Sequence, residues 1–352
     1  NAHIAVDGKG AGIHFLNMDQ DGSGQFKLSG SGVITVKGND ATGILVEGED
    51  GNKQPTMGTS DFISDNSSGL VINVEDVGGN GITVNTSGKV HSGASVNIQS
   101  KQGQSALVLK GDTTQITQSG NLSSNSESSP VVELKDLTST QDINFTNLGS
   151  IKVSNDAAAP AGLIAINANI GKNINLTNGE SNTSKGEIVG VVDLGDQKNQ
   201  VTLFGGSKAD VITATAGETS IMLKDVQRSQ SGNLFNKLTA GNGAKDSLEL
   251  SATSNHLFNK LSAGNGTNDS IELSASADKT SHYALTQAKA DEIKGFEQLK
   301  IHANSTFELD NSDIILNESV PNGGIHLEDA TGTLFINQSQ ATGKNIFNHN
   351  LY

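Results

Sequence analysis

The chain has no cysteine, no tryptophan and only two tyrosines, and aromatic residues make up 4% of its 352 positions. So few large side chains disfavour a wide globular core and favour a thin one, in which small aliphatic side chains stack in columns. No run of about 18 apolar residues occurs, which excludes a membrane-spanning helix. Only four prolines are present, so no proline-rich linker divides the chain.

Positive charge is also scarce in this chain. The formal net charge is −15, and Arg228 is the single arginine among 23 basic residues. Nucleic-acid binding needs clustered lysine and arginine to displace counterions, so we expect no nucleic-acid partner. An anionic membrane surface is disfavoured for the same reason. The lack of cysteine suits an exported bacterial chain, because an early disulfide would obstruct passage of the unfolded polypeptide.

Two segments nearly copy each other at an offset of 23 residues, one from Leu234 to Leu250 and the other from Leu257 to Leu273. In both, Leu-Phe-Asn-Lys-Leu is followed by Ala-Gly-Asn-Gly and then by Asp-Ser-(Leu/Ile)-Glu-Leu. A fixed period in this range is typical of a solenoid, whose coils bury their apolar faces only against one another.

Short runs of aliphatic residues, each preceded by a small residue, recur elsewhere in the chain, among them Gly43-Ile44-Leu45-Val46 and Gly81-Ile82-Thr83-Val84. Glycine, asparagine and aspartate between these runs supply the left-handed backbone conformation that sharp corners need. This pattern predicts an all-β, pectate-lyase-like parallel β-helix with irregular loops, in a single domain over residues 1–352.

Two segments are predicted to depart from the strand pattern. Tyr283 to Lys294 is expected to form the one short helix, with Leu285, Ala288 and Ile293 on its apolar side. The serine-rich patches at Ser119–Ser129 and Ser181–Ser184 are expected to be loops.

Two kinds of chemistry can be weighed against these residues. Gly205 to Ile212 and both repeat copies resemble the calcium-binding nonapeptide of repeat-in-toxin proteins, but copies 23 residues apart supply fewer oxygens than calcium prefers, so no metal is expected.

A polysaccharide-degrading β-helix enzyme is the alternative function. The chain lacks a local Asp-Asp dyad or an Arg-x-Lys motif, and Arg228 is predicted to be solvated. A groove with two carboxylates about 5–10 Å apart beside a basic residue would favour the enzyme.

Gly-Asn-Gly-Thr-Asn-Asp-Ser-Ile at Gly264–Ile271 is followed downstream by Ile-Lys-Gly-Phe-Glu-Gln-Leu at Ile293–Leu299. This order resembles a phrase in passenger domains of bacterial autotransporters, where a Gly/Asp turn leads to an Ile-x-Gly-Phe-Glu-x-Leu strand. The motif covers about residues 200–303. The rest of the chain is similar to such passenger domains only in composition, being acidic, free of cysteine and rich in glycine. The chain thus resembles the passenger domain of an AIDA-type autotransporter adhesin.

The resemblance implies a right-handed parallel β-helix displayed on the surface of a Gram-negative cell. It implies export through the protein's own outer-membrane barrel, which a mature or trimmed fragment from Asn1 to Tyr352 does not include. Such adhesins act through surface faces, by self-association between neighbouring cells in biofilms or by gripping host glycans or matrix proteins. The family has no shared active site, so neither catalysis nor a cofactor is expected.

Outward columns of asparagine, threonine, serine and aspartate would present repeated hydrogen-bonding groups along such a stack. Asn242, Asp246, Asn265 and Asp269 are the candidate binding residues, because the near-identical repeat should stack them in register. The repeated lysines, Lys237 and Lys260, are interpreted as solvated side chains.

Overall fold

The computed structural model describes residues 2–17, 25–49, 55–56, 61–64, 69–75, 77–153, 162–181, 186–226, 234–252, 257–275, 280–286, 292–310, 312, 314–337 and 350–352. The contacts within the chain separate into two compact units: unit 1 comprises Asn1–Leu176 and Gly186–Asp193, and unit 2 comprises Thr177–Lys185 and Leu194–Tyr352. Both units are built from strands, and the described residues contain no helix, so none of them forms a helix that could cross a membrane.

Unit 1 holds strands β1 (Ala2–Val6), β2 (Gly10–Asn17), β3 (Gln25–Leu28), β4 (Gly32–Val36), β5 (Ala41–Glu49), β6 (Pro55–Thr56), β7 (Asp61–Ser64), β8 (Leu70–Val74), β9 (Asn80–Asn85), β10 (Val90–Ser92), β11 (Ser95–Ile98), β12 (Leu107–Gly111), β13 (Gln115–Gln118), β14 (Asn121–Ser124), β15 (Val132–Leu137), β16 (Ile143–Asn147), β17 (Ser150–Val153) and β18 (Ile164–Asn167). Strands β19 (Ile174–Asn178) and β20 (Glu187–Gly195) have residues in both units.

Unit 2 holds strands β21 (Asn199–Phe204), β22 (Lys208–Ala214), β23 (Thr219–Val226), β24 (Phe235–Thr239), β25 (Ser247–Ala252), β26 (Phe258–Ser262), β27 (Ser270–Leu273), β28 (Ser281–Thr286), β29 (Ile293–Lys294), β30 (Gln298–Ile301), β31 (Ser305–Asp310), β32 (Gly324–Leu327) and β33 (Thr333–Asn337).

Apart from the two-residue β6, which pairs antiparallel with the end of β5, the strands of unit 1 stack as three parallel series, which confirms the predicted parallel β-helix. One series runs β1, β4, β8, β11, β14 and β17, a second runs β2, β5, β9, β12, β15 and β18, and a third runs β3, β7, β10, β13 and β16. Alternate side chains point inward and form columns of the kind that the low aromatic content predicted. One buried column consists of Ile34, Ile72, Val96, Leu122 and Ile151.

Unit 2 is likewise a parallel β-solenoid. Strands β21, β23, β25, β27, β30 and β32 pair in sequence, as do β22, β24, β26 and β29, and as do β28, β31 and β33. The two repeat copies lie in register, so that Phe235 aligns with Phe258 and Glu249 with Glu272. Their phenyl rings stack with centroids 5.3 Å apart and planes 12° from parallel, and both are buried.

The predicted helix at Tyr283 to Lys294 is wrong. Residues 281–286 form strand β28, and Ile293 begins the short strand β29. Tyr283 and Leu285 are both buried and pair with Phe307 and Leu309 of β31, so the apolar side chains follow a period of two rather than of three to four. Ala288 lies outside the described residues.

The serine-rich patch at Ser119–Ser129 contains strand β14, so the prediction of a loop throughout it is also wrong. Leu122 supplies the inward apolar side chain, and β14 pairs with both β11 and β17. Ser126 is buried and its hydroxyl donates to the Gly103 carbonyl at 2.7 Å, which shows how serines can fill a thin corner once their hydrogen bonds are made. Residues 182–184 lie outside the described part.

Candidate functional site

The corner after the Leu-Phe-Asn-Lys-Leu strand of each repeat copy turns on a glycine. Gly241 and Gly264 have φ angles of 96° and 94°, in the left-handed region. A Cβ atom on Gly264 would lie 1.6 Å from the carbonyl oxygen of Gly241. Backbone therefore stacks on backbone at these corners, and no side chain fits between the coils.

Three acidic residues, Asp246, Asp269 and Glu297, immediately precede strands β25, β27 and β30, and we call them the carboxyl column. Each side chain reaches back to the preceding coil. Oδ1 of Asp246 accepts a hydrogen bond from the Thr219 amide at 2.7 Å, and Oδ1 of Asp269 accepts one from the Asp246 amide at 2.7 Å. Oε2 of Glu297 accepts from the Asp269 amide at 2.8 Å. The carboxyl column thus links successive coils by hydrogen bonds to their backbone.

A second pair of repeat glycines makes room for these carboxylates. A Cβ atom on Gly266 would lie 2.3 Å from Oδ1 and 2.4 Å from Oδ2 of Asp269, and one on Gly243 would lie 2.8 Å from Oδ1 of Asp246. The Gly-x-x-Asp spacing of the repeat is therefore explained by packing, because the carboxylate fills the space that a side chain would need.

Burial dominates the electrostatics of the carboxyl column. Asp246 and Asp269 have no exposed surface, and burial raises the pKa of Asp246 to about 7 and that of Asp269 to about 6, against the amide hydrogen bonds that favour the ionised form. Burial also raises the pKa of Glu297. Among the described residues, Oδ2 of Asp246 and Oδ2 of Asp269 are buried with no hydrogen-bond partner.

The four predicted binding residues separate into two pairs. Asn242 and Asn265 are exposed, and Oδ1 of Asn242 accepts from the Asn265 amide at 3.2 Å. Asp246 and Asp269 stack in register as expected, but both are buried, so their side chains are not on the outward surface that the repeat pattern predicts for them. Of the described chain, no group of three or more acidic or histidine side chains is placed to hold a metal ion.

An outward polar column on β22, β24 and β26 was not singled out from the sequence, although the repeat aligns two of its members. We call Asp210, Asn236 and Asn259 the outer ladder. Nδ2 of Asn236 donates to Oδ1 of Asp210 at 2.7 Å, and Nδ2 of Asn259 donates to Oδ1 of Asn236 at 3.2 Å. Lys237 and Lys260, both exposed, form the adjacent column.

A mixed acidic and basic cluster lies on the outward face of strands β25, β27 and β30. Glu249 and Glu272 are neighbours in register, and Glu272 is next to Lys300. Oε1 of Glu272 lies 3.0 Å from Nζ of Lys300, and Oε2 lies 3.3 Å from Nε2 of His302. Burial opposes ionisation of Glu272, but hydrogen bonds from Lys300 and Ser270 hold its pKa below the usual value. Arg228 lies outside the described residues.

Comparison with known proteins finds no matching protein-family model, no matching curated protein and no matching solved structure.

Proposed function

We propose that this protein is a surface adhesin of a Gram-negative bacterium, which acts through an outward polar face of its β-solenoid. Its partners would be copies of itself on neighbouring cells or glycans and matrix proteins of a host. The observation that carries this proposal is the outer ladder, in which side chains of successive coils are hydrogen-bonded to one another on the surface. The resemblance to autotransporter passengers gives the cellular setting.

The outer ladder has the physical properties of a contact surface. Its side chains are held by their neighbours before a partner arrives, so less side-chain freedom is lost on binding. Each new hydrogen bond would contribute only about 0.5–1.5 kcal/mol. The stacked coils repeat the same groups, however, and many displayed copies would convert weak contacts into avidity. The lysine column formed by Lys237 and Lys260 adds charge that an acidic partner, including this chain with its net charge of −15, can meet.

Removal of the two ladder asparagines tests this proposal. Beads coated with the whole chain are expected to aggregate, and Asn236→Ala combined with Asn259→Ala is expected to reduce their aggregation rate at least about tenfold through lost avidity. The measurement is turbidity or sedimentation of the beads. Ser220→Ala with Ser247→Ala is the matched control, because it removes one side-chain hydrogen bond of 3.1 Å from another sheet of unit 2.

The outcomes separate the two kinds of partner. Dispersed wild-type beads, together with ladder-dependent binding to glycan or matrix-protein arrays, would assign the face to a host ligand. If the ladder variant behaves like wild type in both assays, the outer ladder is not the adhesive face.

The cluster around Glu272 favours a second candidate function, a polysaccharide-degrading enzyme. Glu249 and Glu272 are register neighbours on adjacent parallel strands, whose backbones are about 4.8 Å apart, so their carboxylates can come within the roughly 5–10 Å that glycoside cleavage uses. Glu272 is held ionised by Lys300, as a base or nucleophile must be. The pair lies on an outward strand face beside the basic side chain of Lys300, which supplies the charges, though not the groove, that would favour an enzyme.

Product release from polysaccharides checks this second candidate. Incubation with neutral and uronate-containing polysaccharides should produce new reducing ends or unsaturated uronates, and Glu272→Gln should reduce the rate at least about 100-fold because the charged group is lost. The ladder variant serves as the control and should keep full activity. No product from any polysaccharide class would remove the enzyme from consideration.

A further inference from the structure

We propose that the carboxyl column is a proton-sensitive element, which holds successive coils of unit 2 together at mildly acidic pH and loosens them as the pH rises through neutrality. This inference does not depend on the proposed adhesive function, because it concerns buried groups in the corners and not the outer ladder.

The first support is the position of the three carboxyls. Asp246, Asp269 and Glu297 immediately precede consecutive strands of one parallel series, so their backbones are about 4.8 Å apart from one coil to the next. Each uses one oxygen to accept the amide of the coil before. Three negative charges at this spacing, away from water, would repel one another strongly.

The second support is the pair of unused oxygens. Oδ2 of Asp246 and Oδ2 of Asp269 are buried and have no partner among the described residues. A proton on Oδ2 removes the buried charge and leaves Oδ1 free to keep its amide hydrogen bond. The protonated form therefore keeps the Oδ1 hydrogen bonds between the coils and removes the cost of the buried charge, which outweighs the preference of the nearby Gly243 and Gly266 amides for the ionised form.

The charges that face the column add to the repulsion. Asp246 faces Asp269 on one side and Glu218, which precedes β23, on the other. Asp269 faces Glu297, and Glu297 accepts a side-chain hydrogen bond from Asn317. Glu218 in turn lies 3.6 Å from Nζ of Lys198, whose side chain is largely exposed.

The direction of the pH effect follows from the shifted pKa values. The pKa of Asp246 rises from 3.8 to about 7 on folding, so between these pH values the folded chain binds a proton that the unfolded chain has released. The contribution of Asp246 to the stability of unit 2 is therefore complete below about pH 4 and is lost as the pH rises through about 7. Asp269 acts in the same direction over a range that ends near 6.

Thermal unfolding between pH 5 and pH 8 tests the inference on the whole chain. The midpoint of the unit 2 transition in wild type is expected to fall by roughly 5–10 °C over this range. Asp246→Asn with Asp269→Asn keeps an oxygen for each amide and removes the titrating protons, so its midpoint should vary by less than about 2 °C. Asp210→Asn with Glu249→Gln removes two outward carboxyls from unit 2 and should keep the wild-type slope.

Amide hydrogen exchange in wild type provides a second readout that needs no variant. Protection of the Thr219 and Asp246 amides, corrected for the intrinsic effect of pH, should fall at least about fivefold from pH 5 to pH 8. A flat or rising wild-type midpoint would overturn the inference, as would a double variant with the wild-type slope. A midpoint at pH 8 that calcium raises in wild type but not in the double variant would assign the column to a metal ion instead.

Discussion

Replacement of Gly264 by alanine is expected to lower the free energy of unfolding of unit 2 by about 2–5 kcal/mol. About 1–2 kcal/mol comes from forcing a side chain into the left-handed backbone conformation at φ 94°. The remainder comes from overlap, because the new Cβ would lie 1.6 Å from the carbonyl oxygen of Gly241. The coils must separate to relieve this contact, and the corner hydrogen bonds beside it would lengthen. Denaturant unfolding followed by circular dichroism measures the loss.

Gly171→Ala is the control for the backbone term of this prediction. Gly171, which is in unit 1 and so reports on the unfolding of that unit, also has a positive φ, of 68°, but a Cβ atom there would meet nothing within 4 Å. Its substitution should therefore cost only about 1–2 kcal/mol. If Gly264→Ala costs no more than Gly171→Ala, the close stacking of the corners is not a determinant of stability.

Phe258→Ala is expected to destabilise unit 2 by about 3–5 kcal/mol. The ring is buried and stacks on Phe235 with centroids 5.3 Å apart, so its removal leaves a cavity beneath a second aromatic ring. A solenoid core is one side chain deep between coils, and neighbouring coils have few ways to collapse into the gap. Because coil stabilities add along the stack, the unfolding transition should also broaden or divide into two steps.

Phe258→Leu keeps most of the apolar volume and should cost only about 1–2 kcal/mol. The same denaturant titration, with the slope of the transition compared between variants, distinguishes the two cases. Equal losses for leucine and alanine would mean that the stability comes from the stacked ring itself and not from the apolar volume that leucine keeps, which would contradict the cavity argument.

Much of the architecture of unit 2 could be predicted from the repeat. Identical residues at an offset of 23 must occupy equivalent places in adjacent coils, and the observed alignments of Phe235 with Phe258 and of Lys237 with Lys260 confirm this. The helix prediction failed because Leu285 and Ile293 happened to match a helical stripe, whereas pairing with β31 imposed a period of two. Local spacing cannot reveal which strand will be the neighbour.

The burial of the aspartates was beyond local reasoning for a related cause. Aspartate is seldom buried without a partner, so Asp246 and Asp269 were expected on the outward surface. Two features allow them to be buried. The carboxylates accept hydrogen bonds from backbone amides of the preceding coil, and Gly243 and Gly266, which have no side chains, leave space for them. Both belong to the stacked structure, and only the Gly-x-x-Asp spacing could have hinted at them.

The matching coils of the repeat also bear on how such a protein can change over generations. Unequal recombination between the two gene segments would remove or add one whole coil, and both new junctions would bring together residues that already fit, such as Phe235 with Phe258 and Glu249 with Glu272. The number of coils in unit 2 can therefore differ between descendants of one gene, while each coil still packs against its neighbours through the same residues.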